Sequence, residues 1–596
     1  MTLLDFARMD WINQISGRLS RRCCLRLAVT TSLALALLLG STRSVSAQAP
    51  SWISPKTEAV HSKSDRQSEA ANLASVHGEQ ELLTQGLELE ESHLWADSVR
   101  HYEKAIKKYP ESAMLYQRMV IAKLHYDVNR RYQDSSFVRS IDQLSTEQAL
   151  DLYSEILANL QTHYVDDVDW DRVMLHGTAA LEVALTEDRF ASHLLTTTDP
   201  HAVEHFRLNV HHELTHRSTA TRFDLRANVA YVAGIAKERI GLAPTATILE
   251  YVGGAVSTLD PYTRLLSGNQ LDEMFSNIEG NFVGLGIELK AEADCLQIVS
   301  VIPGGPAEQA GVVAGDRIVR VDDCETSSGD SNYAADLLRG PENSYVSISL
   351  VNATGTARDL KVQRRRVEVP CVENVHLVDM QNKVGYFRLT NFQKTTTRDV
   401  EQALWDLHRQ GMQSLVIDVR GNPGGLLSAA VEVADRFLEN GRIVTTRGRN
   451  VRENFDYTAH RANTWNIPMA VLIDGDSASA SEIFAGAIAD SGRGEVVGET
   501  SYGKGSVQGI FRMQAAKFGL CLTTAKFYSP SGKAISQNGV EPSVPVESTY
   551  VAARPNRSGQ MTTDQEDAVL QQAVLSLASV RAEPQNSQQN WVSRRP

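Results

Sequence analysis

Three serines alternate with alanine at Ser477-Ala478-Ser479-Ala480-Ser481, just after a short apolar strand, Val471-Leu472-Ile473. Glu482-Ile483-Phe484-Ala485-Gly486-Ala487-Ile488 follows and reads as a helix start. A second strand, Glu495-Val496-Val497-Gly498, leads into Thr500-Ser501-Tyr502-Gly503-Lys504-Gly505-Ser506-Val507-Gln508. A small hydroxyl at a strand-to-helix turn is placed to attack a carbonyl. A lysine between two glycines can pack closely and lose its water. Burial disfavours ammonium, so such a lysine can be neutral near pH 7 and accept a serine proton. The stretch reads as a nucleophile and its base, and spacing alone leaves all three serines open.

Other ways of activating a serine have weaker support. Gly421-Asn422-Pro423-Gly424-Gly425 approaches the G-N-S-G-G of trypsin-like proteases, but proline stands where the serine would be. Gly475-Asp476-Ser477 lacks the two glycines of G-D-S-G-G, and no G-x-S-x-G elbow is present. The histidines of this region, His376, His408 and His460, lie outside glycine-rich turns, so lysine is the better base.

A rival chemistry lies upstream. His212-Glu213-Leu214-Thr215-His216 is a literal H-E-x-x-H, which on one helical face would hold zinc with Glu213 as base. Glu238 stands at a plausible distance for a third ligand. Yet His193, His201, His205 and His211 enrich the neighbourhood, and Arg217-Ser218-Thr219-Ala220-Thr221-Arg222 reads as a polar loop. The favoured reading is a solvated helical face, with no metal and no other cofactor at the reaction centre.

The surrounding chain has to position these residues. At 596 residues it is long enough for about three or four domains. Its 42% hydrophobic and 22% charged composition is that of a soluble globular protein. The net charge of −13 argues against nucleic acid as a partner. Arg18, Arg21, Arg22 and Arg26 precede the apolar Leu33–Leu39, and Val45-Ser46-Ala47 suits signal-peptidase cleavage. Residues 1–47 therefore read as an export signal, with an uncleaved anchor as the alternative, and the expected location is the bacterial periplasm or cell envelope. Cys295, Cys324, Cys371 and Cys521 remain after the signal, permitting a disulfide without dictating one; no C-x-x-C pair is present.

Residues 48–78 read as a linker. In the helical pattern of 79–132, Gly86, Ser98, Tyr102, Ala105 and Pro110 resemble one tetratricopeptide repeat, a docking module for a protein partner; a plain helical hairpin is the equal alternative. Residues 147–280 read as helical, interrupted by the His-rich insert at about 188–241. From 281 to 363 the texture is strand-rich, and Pro303-Gly304-Gly305-Pro306-Ala307-Glu308-Gln309-Ala310-Gly311-Val312 runs into Gly315-Asp316-Arg317-Ile318. This closely resembles a PDZ domain. The loop Gly284-Leu285-Gly286-Ile287 is similar to its carboxylate-binding loop, whose amides cup a chain-terminal carboxylate while a strand edge pairs with the peptide. The helix Tyr333–Arg339 would complete the groove. Residues 364–548 read as α/β, and 549–596 as a short helix with a polar tail.

With these pieces in place, the stretch from Ser477 to Gln508 resembles the core of the C-terminal processing peptidases, or tail-specific proteases. The similarity covers about 147–545, with the His-rich insert as its main departure. It implies a multidomain α/β protein: a TPR-like helical region, a PDZ β-domain, and an α/β, crotonase/ClpP-like serine protease core. It also implies Ser479 as nucleophile, Lys504 as general base, and Gln508 as the residue orienting the lysine. Ala480 would supply one oxyanion N–H from the helix start, and Gly424 or Gly425 the other. Ser477 and Ser481 are expected to be turn and cap residues, and Glu482 a first-turn carboxylate favoured by the helix dipole. Substrates would be proteins with free C-terminal tails, and the helical region before the PDZ domain would form a homodimer. Two readings compete: a PDZ/TPR-like scaffold with an inert hydrolase fold, and a zinc protease built on His212, Glu213 and His216.

Overall fold

The computed structural model describes residues 78–197, 199–292, 295–326, 337–460, 464–547 and 567–582. The expected signal at 1–47, the expected linker apart from Gly78, most of the expected helix Tyr333–Arg339 and the expected polar tail from 583 lie outside the described residues. The chain divides into two compact units: Met1–Leu157 with Asp169–Leu259, and Ala158–Val168 with Asp260–Pro596.

The first unit is helical. Residues 78–91 and the helix Trp95–Lys108 meet where Gly86 lies under the Tyr102 ring, so close that a Cβ at 86 would stand 2.3 Å from Tyr102 Cζ. Tyr102 packs with Ala105, Leu115 and Ala122 and donates its hydroxyl to buried Glu90 at 2.7 Å. The His-rich insert folds into the helices Asp188–Leu194, Pro200–Leu214 and Arg222–Ile240, because Phe190, Phe206, Val210, Leu225, Val229 and Val232 recur on faces that become buried; Arg217–Thr221 is the expected loop between the last two.

The second unit holds two architectures. In the PDZ region the strands Ile287–Ala291, Leu296–Val301, Arg317–Val321, Tyr345–Val351 and Ala357–Gln363 form an antiparallel sheet in that order. Alternating burial along Tyr345–Val351 puts Val346, Ile348 and Leu350 into its core. Ile287–Ala291 is an edge strand.

The α/β region is a six-stranded sheet in the order Val372–Asp379, Val384–Leu389, Ser414–Asp418, Met469–Ile473, Glu495–Gly498, Val544–Pro545. The first pair is antiparallel and every later pair parallel. Ser414–Asp418 and Met469–Ile473 are buried at every position, which is why Leu415–Ile417 and Met469–Ile473 read as unbroken apolar runs. Helices Thr396–Arg409, Leu427–Asp435 and Ala480–Asp490 cover one face; Val569, Ala573 and Leu577 of Ala568–Ala582 pack on the other. A second sheet, Arg264–Leu266, Gly519–Tyr528, Arg442–Arg447 and Phe455–Thr458, carries Ser506–Arg512 along the long central strand. Cys295, Cys324, Cys371 and Cys521 are free thiols.

Candidate active site

The turns that leave the C-terminal ends of the parallel strands converge on a cavity of about 660 Å³. This is where an open parallel sheet ordinarily places its site. Ser479, Gly424, Gly425, Lys504 and Gln508 all line it, together with Tyr262, Arg264, Phe392, Ile483 and Cys521.

The three serines separate by their hydrogen bonds. Ser477 is fully buried and donates its hydroxyl to Val419 O at 2.9 Å. Ser481, also fully buried, donates to Asn422 O at 2.9 Å. Both lock the loop onto the glycine turn. Ser479 alone of the three lines the cavity. It caps the helix Ala480–Asp490 with φ +56° and ψ −112°, a conformation that costs a non-glycine residue about 1–3 kcal/mol and persists only where its surroundings enforce it.

The enforcing residue is Glu482. Its side chain is completely buried and accepts four hydrogen bonds. One carboxylate oxygen takes the N–H of Ser479 at 2.7 Å and the N–H of Lys504 at 2.9 Å. The other takes the Ser501 hydroxyl at 2.7 Å and the Gly503 N–H at 2.7 Å. Sequence reasoning saw only a first-turn carboxylate. In the fold that carboxylate also stitches the serine turn to the lysine loop.

The glycine turn closes against the same point. Gly424 and Gly425 have φ of +108° and +135°. A Cβ on Gly424 would stand 2.8 Å from Ser479 Cβ, and one on Gly425 would stand 2.1 Å from Phe392 O. Asn422, fully buried, donates to Leu389 O at 2.8 Å and accepts the Gly424 N–H at 2.9 Å. The Gly424 amide is therefore committed. Among the described residues, the N–H groups of Gly425 and Ala480 have no such acceptor. Of the two glycines, Gly425 is the one with a donor to spare.

Lys504 sits on a loop whose glycines pass against the chain at Ser536 and Gln537; a Cβ on Gly505 would stand 2.2 Å from Ser536 N. Burial is the largest influence on its amine and holds it below its ordinary 10.5; the nearby Arg264 cation acts in the same direction. Glu482, Asp260 and Cys521 pull the other way without reversing it. The Nζ lies 5.1 Å from the centre of the Tyr262 ring. Gln508 follows a bulge in the pairing of Ser506–Arg512 with Gly519–Tyr528. Its amide donates to Ser506 Oγ at 2.9 Å, and no bond to Lys504 is among the described contacts.

In the PDZ region Gly286 has φ +77°, and the carbonyls of Leu285 and Gly286 accept from Ala307 N and Ile302 N, each at 2.9 Å. The turn is thereby held at the head of the edge strand that begins at Ile287. Leu285 is buried in the PDZ core.

The H-E-x-x-H stretch does not make a site. The helix Pro200–Leu214 ends at Thr215, so His216 lies beyond it and does not share a helical face with His212. Glu213 accepts from Arg239 Nη1 at 2.8 Å and from the Tyr231 hydroxyl at 3.0 Å; these bonds, the Arg239 one foremost, hold it below the usual carboxylate range. Such a carboxylate is a poor base. Among the described residues, no group of three His, Cys, Asp or Glu converges as a metal site.

The profile of peptidase family S41 matches residues 383–546, and a PDZ-domain profile matches 297–352, starting after the loop Gly284–Ile287. Over 303 residues the chain is 37% identical to a carboxy-terminal-processing protease of Bartonella bacilliformis, covering 50% of this chain and 68% of that protein. Over 300 residues it is 36% identical to a carboxyl-terminal-processing protease of Picosynechococcus, covering 49% and 71%. Among solved structures, the photosystem II D1 C-terminal processing protease aligns with 68% of this chain and 94% of its own, at 26% identity and a TM-score of 0.35.

Proposed function

This chain belongs to peptidase family S41, with the carboxy-terminal-processing proteases, and is a serine-type peptidase with a PDZ domain; from that premise we propose that it binds the C-terminal tails of proteins and cleaves them by a Ser479–Lys504 acyl-enzyme mechanism. The observation that carries this reading is the shared acceptor: one oxygen of Glu482 holds the backbone of both Ser479 and Lys504 at a single cavity.

Neutral Lys504 removes the proton from Ser479 Oγ as that oxygen attacks the scissile carbonyl. The tetrahedral oxyanion receives the N–H groups of Ala480 and Gly425, aided by the positive end of the helix Ala480–Asp490. The ammonium of Lys504 then protonates the leaving amine as the C–N bond breaks, which leaves an acyl-Ser479. A water, deprotonated by the same amine, releases the product acid and restores the serine.

In this reading the PDZ domain delivers the substrate. The amides of Gly284–Ile287 receive the terminal carboxylate, and the tail pairs with the open edge of Ile287–Ala291. Export to the periplasm or cell envelope belongs to the same reading and rests on the arginines and the apolar run of residues 1–47. Cell fractionation tests it: the protein in the cytoplasmic fraction would remove that part.

The main test is cleavage of an unstructured protein with an apolar tail by wild type, Ser479→Ala, Lys504→Ala and His212→Ala, each with and without chelator. Loss of activity in the first two variants alone is expected. Loss only with chelator or in His212→Ala would refute the serine mechanism, and tails bound but uncleaved by every form would favour a scaffold.

A further inference from the structure

A base that works by being neutral faces two opposite demands. At rest the amine must not hold a proton, yet in the transition state it becomes an ammonium that needs a partner. A carboxylate on Nζ would meet the second demand and defeat the first. The carboxylate bonded to this loop, Glu482, avoids the conflict because its four hydrogen bonds go to backbone amides and the Ser501 hydroxyl. Gln508, the orienter implied by the family resemblance, gives its amide to Ser506.

What stands over the amine is a ring. Lys504 Nζ lies 5.1 Å from the Tyr262 centroid, inside the distance at which a cation is attracted by an aromatic face. The backbone that carries the ring is held from both sides. Asp260 accepts the N–H of Tyr262 at 2.9 Å, the N–H of Thr263 at 3.0 Å and the hydroxyl of Thr523 at 2.9 Å, so the turn is tied to the long strand of the second sheet. Thr523 N–H in turn donates to Thr263 Oγ1 at 3.1 Å. Two residues on, Arg264 pairs with Cys521 of that strand.

Building on the Ser479–Lys504 reading, we propose that Tyr262 is a positioning residue whose ring face keeps Lys504 dry at rest and receives its ammonium when the Ser479 proton is transferred. An aromatic face attracts the cation too weakly to overturn burial, so the resting amine stays below its ordinary 10.5. At the transition state the same attraction acts on the charge that has just formed, and is worth roughly three- to thirty-fold in rate. The other groups facing the amine are Arg264, Asp260, Glu482 and Cys521, with Tyr502 beside Tyr262. All are retained in the variants below.

The test is kcat against pH on a peptide with an apolar C-terminal tail, for wild type, Tyr262→Leu and Tyr262→Phe. Leucine keeps the amine covered but removes the ring. Tyr262→Leu is expected to lower the plateau of kcat about three- to thirty-fold and to move its acid limb to lower pH, because the ammonium has lost a partner. Tyr262→Phe should restore both. If the tyrosine only fills space, its loss admits water to the lysine, which favours ammonium and moves the limb to higher pH. That result, or an unchanged plateau in Tyr262→Leu, overturns the proposal. Should Tyr262→Leu not fold, Tyr262→Met carries the same comparison. Activity surviving in Lys504→Ala would instead remove the Ser–Lys reading beneath it, so the two failures are distinct.

Discussion

Two stretches of this chain spell out hydrolytic chemistry, and the fold treats them in opposite ways. His212, Glu213 and His216 are contiguous and correctly spaced, yet the helix ends between them and Glu213 is spent on Arg239 and Tyr231. Ser479 and Lys504 lie on different turns of the sheet, yet a single buried carboxylate oxygen holds the backbone of both. The difference is commitment. In the first stretch the carboxylate is tied to Arg239 and Tyr231; in the second, buried Ser477, Ser481, Asn422 and Glu482 each hold a backbone position. Correct spacing is cheap to arrive at by chance in a His-rich segment, whereas a fully satisfied buried network is not.

The sharpest way to break this comparison is to remove the two glutamates. Glu482→Ala leaves four buried donors without an acceptor and should cost about 3–5 kcal/mol of stability, with activity lost; denaturant unfolding and peptide cleavage measure both. Glu213→Ala should leave cleavage and unfolding midpoint at wild-type values. Equal effects from the two substitutions would end the distinction.

Gly424→Ala comes next. The added methyl would meet Ser479 Cβ at 2.8 Å from a φ of +108°, so the serine turn and the oxyanion donors must separate. A fall in kcat of about 10²-fold or more is expected, the scale of losing one oxyanion contact. A smaller change follows from Gln508→Ala. With the glutamine bonded to Ser506, kcat should drop by less than about tenfold, as for one neutral hydrogen bond. A larger drop would mean that Gln508 engages Lys504 during turnover. The smallest effect concerns stability. The native amine sits below its unfolded value, so between those two values the unfolded chain binds more protons and stability rises with pH. Lys504→Met should therefore be more stable than wild type near neutrality, with the gain shrinking as pH approaches 10.5.

Much of this architecture was legible before any coordinates. Ser414–Asp418 and Met469–Ile473 are buried on both faces, so Leu415–Ile417 and Met469–Ile473 appear as apolar runs; the PDZ texture and the glycine turn carry their own signatures. Lys504 stood out because glycine flanks it on both sides. What sequence missed were contacts across distance. Glu482 reaches Lys504 over 22 positions and Tyr262 comes to the lysine from a turn far upstream, and no local period or propensity records such pairs. In the structure Asp260 forms an Asx-type turn that carries Tyr262 and is tied to Thr523, a pairing set by the fold rather than by local sequence. In the histidine insert the expected polar stretch Arg217–Thr221 is a loop between helices Pro200–Leu214 and Arg222–Ile240, and the apolar residues between the histidines give its three helices buried faces that the polar composition did not reveal.

The central claim, a desolvated lysine acting as the base of Ser479, is tested most directly by the pH dependence of kcat in wild type and Lys504→Ala. Because burial lowers the Lys504 amine from 10.5, activity should rise along a single limb whose midpoint lies below that value, and Lys504→Ala should abolish it. A limb centred near histidine's ordinary value of about 6.5 that survives in Lys504→Ala would contradict the account.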